Sequence, residues 1–141
     1  FGFNHWIQGD TDAYASVRIY VSQVRGISRA GAFMDTSSPQ YLAAQWMAHG
    51  DGLKLPVPET KDFTFDERYV MAVLYFSFGG QKWENQLGFL GDDHICTWYE
   101  EFNVQSNDGV DQNNNVLYGI HGCKEGKEGD GLYPHTLNLR K

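Results

Sequence analysis

The sequence predicts a mainly α-helical protein with a small β element, and three observations lead to this fold class. Apolar residues recur at helical spacing from Tyr14 to Phe76. Helix start and stop signals, such as Ser37 with Pro39 and Gly79-Gly80, divide that part of the chain. Beyond Glu100 the chain is rich in Asn, Asp, Gly, Glu and Lys, a composition typical of long loops and turns. The length of 141 residues suits one compact domain.

Residues 1–60 are predicted to form a helical hairpin extension. Asp10 is expected to cap the first helix, whose apolar stripe consists of Tyr14, Val17, Val21, Val24 and Ile27. Ser37 and Gln40 form a capping-box pattern for the second helix, with Pro39 in its first turn and Gly50 at its end. The apolar side of that helix comprises Leu42, Ala43, Trp46 and Met47.

A third helix opens the second region, residues 61–141. Thr64 and Glu67 form another capping-box pattern, and Gly79-Gly80 ends the helix. Its broad apolar face is predicted to contain Tyr69, Val70, Val73, Leu74 and Phe76. An aromatic-rich segment should then fold back on the helix through Trp83, Leu87, Phe89 and Leu90.

Short strands are predicted in the last part of the chain. Ile95–Tyr99 and Val116–Ile120 are the first two strand candidates. Leu137 and Leu139 alternate with polar residues, which indicates a third strand.

The net charge of −7 excludes some classes of partner. An acidic protein repels phosphate backbones, so nucleic acid is not expected as a partner. The one basic concentration, Arg18, Arg25 and Arg29, is interpreted as a solvated helix face. The longest apolar run, Tyr69–Phe78, covers about half the length that a membrane span needs, so no transmembrane span is expected.

Two His-x-Cys pairs, His94-x-Cys96 and His121-x-Cys123, are the sharpest chemical pattern in the chain. If each pair lay on a strand, its two side chains would share a face and the four could bind zinc tetrahedrally. A Cys96–Cys123 disulfide is favoured over zinc and over free thiols, because the spacing is not that of a zinc finger. A catalytic Cys96–His121 pair is a weaker alternative, since no orienting residue is evident.

Other patterns with possible chemistry have simpler structural interpretations. His49 near Asp51 could be an acid–base pair, but His49 is expected to stabilise the last carbonyls of its helix. A solvated loop is favoured over a calcium site for the acidic residues Asp92, Asp93, Glu100, Glu101, Asp108 and Asp111. The opening segment is either tucked into the domain or docked on a partner, and it contains Phe1, Phe3, His5 and Trp6.

Several segments resemble the N-terminal cap of leucine-rich-repeat proteins. The first is ERYVMAVLYFSFGGQKW (Glu67–Trp83), which is similar to the cap helix with its Gly-Gly turn. FLGDDHICTWY (Phe89–Tyr99) and YGIHGC (Tyr118–Cys123) resemble the segments around the two family cysteines. TLNLRK (Thr136–Lys141) is similar to the opening of a first repeat strand. With SPQYLAAQWM (Ser38–Met47), the likeness to algal, diatom-type caps spans residues 33–141, although the chain contains no repeats.

The resemblance implies a non-catalytic protein-interaction or scaffold module without a cofactor. Its partner would be another protein, and the chain would act as an accessory subunit of a larger assembly, membrane-bound or photosynthetic. Sealing of the solenoid end is expected from Val70, Val73, Leu74, Trp83 and Trp98. A disulfide implies an oxidising compartment, which would be the extracellular or secretory space or the lumen of an organelle. The resemblance to algal caps adds the chloroplast to these compartments. The alternative is a small zinc protein, structural or hydrolytic, that uses the His-x-Cys pairs.

Overall fold

The computed structural model describes residues 6–103, 115–125 and 132–138. Its elements, in chain order, are the helices α1 (Asp12–Ile19), α2 (Pro39–Gln45) and α3 (Phe63–Ser77), followed by the strands β1 (Tyr99–Asn103), β2 (Asn115–Glu125) and β3 (Leu132–Asn138). Single 3-10 turns lie at Ala30–Met34, Gly80–Lys82 and Ile95–Thr97. The prediction of a mainly helical protein with a small β element is confirmed at this level.

Each α-helix begins with a side-chain cap, but the capping residue is not the one predicted. Thr11 caps α1 by accepting the Tyr14 N–H, in place of Asp10. Ser38 caps α2, so that Pro39 takes the first helical position as predicted. Asp62 caps α3, so the helix begins at Phe63. Thr64, the predicted cap, therefore lies within the first turn of the helix. The three corrections are small because neighbouring Ser, Thr and Asp residues are chemically equivalent caps.

The two short helices both end in a wider π-helical turn. Tyr20–Val24 continues α1, and Trp46–Gly50 continues α2. The change of pitch rotates the end of the first helix, so that Tyr20 and Val21 are buried whereas Val24 and Ile27 are exposed. The predicted stripe therefore holds at its start and is wrong at its end. After α2, the π turn carries the chain to Asp51, whose N–H donates to the Trp46 carbonyl at 2.8 Å.

The three strands form an antiparallel sheet in the order β1-β2-β3. The predicted strand Ile95–Tyr99 is wrong, because Ile95–Thr97 is a 3-10 turn and β1 begins only at Tyr99. The predicted Val116–Ile120 strand lies inside β2, and Leu137 lies in β3, whereas Leu139 falls outside the described residues. Pro134 is in β3, which is an edge strand of the sheet. Edge strands tolerate proline, which has no backbone N–H to donate to a ladder of hydrogen bonds.

One hydrophobic core connects both predicted regions of the chain. It brings together residues of α1, α2 and α3 with Leu87 and Phe89 from the predicted aromatic segment, which does fold back on α3. Phe89 lies 6.0 Å from Tyr75 between ring centroids, in a stacked arrangement. Trp6 is buried in the same core, 6.2 Å from Phe76, so this part of the opening segment is tucked in. Phe1, Phe3 and His5 lie outside the described residues.

Candidate functional site

The surface with the clearest functional character is the outer face of α3, formed by Phe63, Glu67, Val70, Leu74, Ser77 and Phe78. These positions follow one another at helical spacing, and Val70, Ser77 and Phe78 are exposed, whereas Leu74 also packs against the edge of the core. Val70 is 38% exposed and Phe78, the C-cap residue, is 62% exposed. A solvent-facing stripe of a helix is normally polar, so an apolar one marks a surface that another molecule can cover.

The opposite face of α3 is equally apolar and is fully used by the fold. Phe65, Tyr69, Ala72, Tyr75 and Phe76 are buried there. α3 is therefore hydrophobic around most of its circumference, a pattern that belongs to a helix covered on all sides. Its inner half is covered by this chain, while Val70 and Phe78 on its outer half are exposed.

Glu67 lies in the middle of the outer face. Desolvation, reinforced by the neighbouring Asp66 carboxylate, raises the pKa of Glu67 to about 7. Its Oε2 atom is buried, and within the described part of the chain it has no hydrogen-bond partner. At neutral pH this carboxyl is therefore close to half protonated, which makes the outer face less polar than its sequence suggests.

The predicted cap residues do not form a single surface. Val70 is exposed on the outer face, while Val73 and Leu74 are both half-buried and pack against the core. Trp83 is half-buried, donates from Nε1 to the Phe78 carbonyl at 3.1 Å, and packs against Tyr75 and Phe89. Trp98 is buried in the core.

Beneath α3 lies a buried ion pair that the sequence did not reveal. Arg68 donates from Nε and Nη2 to the Asp51 carboxylate at 2.7 and 2.6 Å. It also donates to the backbone carbonyls of Gly91 and Asp93. Its guanidinium carbon lies 5.0 Å and 4.9 Å from the ring centroids of two tryptophans, Trp46 and Trp98. All of these partners of Arg68 belong to the protein itself, so we interpret this site as structural.

A second polar cluster joins α1 to α3. The Tyr20 hydroxyl donates to Asp66 Oδ1 at 2.6 Å, and Arg25 Nε donates to Asp66 Oδ2 at 2.8 Å. Burial, with the hydrogen bond to Asp66, raises the pKa of Tyr20 to about 12. The interpretation of Arg25 as part of a solvated basic face is therefore wrong, because its guanidinium forms an ion pair with Asp66.

Cys96 and Cys123 form a disulfide, which removes both sulfurs from the zinc and free-thiol alternatives. Zinc ligation also required His94 and Cys96 to share a strand face, whereas Cys96 lies within a 3-10 turn that His94 caps, its Nδ1 accepting the Cys96 N–H. Burial and the nearby Arg68 charge lower the pKa of His94. The side chain of His121 lies outside the described residues. The same disulfide leaves no thiolate for a Cys96–His121 nucleophile.

The other candidate chemical groups are also committed to the fold. His49 Nε2 is 2.7 Å from the Thr11 hydroxyl, and Asp51 is bound to Arg68, so the two do not form an acid–base pair. Among the acidic residues, Glu100 accepts a hydrogen bond from Asn85. No group of three or more potential metal ligands occurs within residues 6–103, 115–125 and 132–138. Asp108 and Asp111 lie outside those ranges.

Comparison with known proteins leaves the family open. No family model, no curated protein and no solved structure matches the chain. The likeness to repeat caps accordingly stays a prediction. In the part of the chain that is described, no helix combines the length and apolar character that crossing a bilayer requires.

Proposed function

We propose that the protein is a non-catalytic interaction module that binds another protein through the outer face of α3. The observation that carries this proposal is the exposed apolar stripe on a helix whose other side is already buried. A helix 15 residues long spans about 22 Å, which suits a partner helix laid along it. Interfaces of this kind draw their affinity from a few apolar anchors, here Val70 and Phe78.

Site-specific photo-crosslinking tests the proposal. A photoreactive amino acid is placed at Val70 in the full chain, and a matched chain carries it at Met34, which is 87% exposed but lies in the Ala30–Met34 turn. The captured partner is then purified and titrated against the double variant Val70→Lys/Phe78→Lys and the control Met34→Lys. We expect capture from Val70 alone and an affinity loss of at least about tenfold in the double variant. Equal capture from both positions, or unchanged affinity of the double variant, rejects the proposal.

A more specific role is that of an N-terminal cap for a leucine-rich-repeat solenoid. The order of an apolar helix, a disulfide and a final strand supports it, as does the position of β3 at the sheet edge. A cap of this kind covers the hydrophobic cross-section of the first repeat and blocks strand-edge aggregation. Fusing the chain before an uncapped repeat array should make that array monomeric and raise its Tm. An array that still aggregates contradicts the cap role while leaving the interaction role untouched.

The compartment and the assembly belong to the same proposal. A disulfide is compatible with an oxidising compartment. We place the protein in the extracellular or secretory space or in an organelle lumen, with the chloroplast included. There it would serve as an accessory subunit of a larger, membrane-bound or photosynthetic assembly. Fractionation of the source cells with an antibody against the protein tests both the compartment and the size of the assembly.

A further inference from the structure

Most of the described hydrophobic core lies in the helical part of the chain. Among the buried apolar side chains of the described residues, only Ile120 belongs to the sheet, and it is 0% exposed. The others lie between Trp6 and Trp98, in the helical part. Tyr118 and Cys123 pack on the core while remaining partly exposed. The helical part therefore keeps nearly all of its described core without the sheet.

Several contacts attach the sheet to one short turn, Ile95–Thr97, and to the residue that follows it. Cys123 of β2 is bonded to Cys96 in that turn. The Ile120 N–H donates to the Trp98 carbonyl at 2.7 Å. Gly119 has a φ of +111° and lies against the backbone of Trp98 and Tyr99, where a β-carbon would meet the Tyr99 Cα at 2.7 Å. Among these contacts, the disulfide is the covalent bond.

The buried tryptophan in this junction is held mainly from the helical side. Trp98 contacts the Arg68 guanidinium, Trp46 at 5.8 Å and Phe89 at 5.4 Å between ring centroids. These partners all precede the sheet in the chain, so they stay in place if the strands detach. A sheet of three strands needs a hydrophobic face or packing against a helix for its stability, so strands that leave this junction lose part of that support.

We propose that the Cys96–Cys123 disulfide is a thiol-operated clasp, through which a dithiol reductant releases the sheet from a helical part that stays folded. Both cysteines are partly exposed, so an external thiolate can reach the bond. That thiolate attacks one sulfur to form a mixed disulfide, and the second thiol of the reductant resolves it. Two electrons pass to the protein, which gains two thiols, while the reductant leaves as its own disulfide.

Hydrogen exchange read by mass spectrometry tests the clasp on the full chain. Dithiothreitol is the probe, and alkylation with the accompanying mass change measures how far the disulfide is reduced. The bond closes a sequence separation of 27 residues. Its loss should therefore increase exchange in peptides covering 115–125 and 132–138 by about 100-fold or more. Peptides from α1, α2 and α3 should exchange as slowly as before.

The variant Cys96→Ser/Cys123→Ser serves as the matched control. It should show the open exchange pattern without reductant and should not respond to dithiothreitol. If it does not fold, the reduced native chain still decides the question. Three outcomes overturn the proposal: a bond that resists reduction in the folded protein, a reduced chain whose sheet stays protected, or a reduced chain whose helices lose protection together with the sheet.

Discussion

Arg68 shows how one side chain can organise the interior of a small protein. Its charge is cancelled by Asp51, it also donates to two backbone carbonyls, and its flat guanidinium packs against two indole rings. Lysine would fail here, because a compact ammonium can neither form the forked pair with a carboxylate nor stack on a ring in this way. The same contacts tie the 88–98 segment to α3.

Removing the charge of Arg68 should destabilise the protein strongly. Arg68→Met leaves the buried Asp51 carboxyl without its counter-charge and with the Leu53 N–H as its remaining donor, which should lower the free energy of unfolding by about 3–5 kcal/mol. Urea denaturation followed by tryptophan fluorescence measures this change. The double variant Arg68→Met/Asp51→Leu removes both charges and should recover much of the loss. If the single variant lost under about 1 kcal/mol, the pair would not be the buried anchor described here.

Glu67 gives a pH dependence with a definite sign. Its pKa is raised from 4.5 to about 7 in the folded protein, so the folded state binds this proton more tightly than the unfolded state does. The resulting stability is fully present below about pH 4.5 and is lost as the pH rises through about 7. Glu67→Gln should remove this loss and stabilise the protein at pH 8 by about 1 kcal/mol, after allowance for solvent screening.

The measurement for Glu67 is the urea midpoint of both chains between pH 5 and pH 8, values that bracket the shifted pKa of about 7. Glu59→Gln is the matched control, because Glu59 is an exposed carboxylate that precedes the same helix. The difference between Glu67→Gln and the native chain should grow with pH, whereas Glu59→Gln should follow the native chain. Parallel pH curves for all three proteins would contradict a buried position for the Glu67 carboxyl.

At the level of elements, the existence of each α-helix is predictable and its first residue is not. In the sequence, Thr64 is as good a candidate for the helix cap as Asp62. Each of the two residues places a side-chain oxygen three residues ahead of a backbone N–H. The structure selects Asp62, whose Oδ1 accepts the Phe65 N–H at 3.2 Å. Tertiary contacts add to this choice, since the Asp62 N–H also donates to the Tyr20 hydroxyl.

Substitution of the two possible caps should separate the observed helix start from the predicted one. Asp62→Ala removes the side chain that satisfies an N–H of the first turn and should cost about 1 kcal/mol of stability. Thr64→Ala replaces an exposed residue within the first turn and should change the stability by less than about 0.5 kcal/mol. The two variants are compared by thermal unfolding followed with far-ultraviolet circular dichroism, which reports helix content. A larger loss for Thr64→Ala would place the cap where the sequence pattern put it.

The candidate site was predictable only in part, and the reasons are physical. The apolar positions of α3 are visible in the sequence, but which side faces solvent depends on where α2 and Phe89 pack. The Arg68–Asp51 pair joins residues 17 apart, and Asp51 is positioned by the π turn that precedes it, so no local pattern encodes that geometry. The two cysteines did suggest their disulfide, whereas the strand proposed around Cys96 is a 3-10 turn.

At the scale of the whole molecule, the hairpin extension and the following region depend on each other. Asp66 of α3 binds Tyr20 and Arg25, and Ser28 lies 2.8 Å from the Tyr69 hydroxyl, oxygen to oxygen. Asp51 and Arg68 add an ion pair across the same boundary. A split after residue 60 therefore cuts through one core rather than between two.

Separate expression of residues 1–60 and 61–141 should consequently yield two unfolded fragments. Each would expose half of the shared core, and the second would bury Arg68 without its carboxylate, which neither fragment can offset alone. We expect narrow amide proton dispersion in the NMR spectrum of each fragment, with native-like signals appearing when the two are mixed. Arg68→Met in the second fragment should weaken this reassembly at least about tenfold, because the loss of the pair exceeds 1.4 kcal/mol. A folded spectrum from residues 61–141 alone would establish that region as an independent domain and would make the first 60 residues a true appendage.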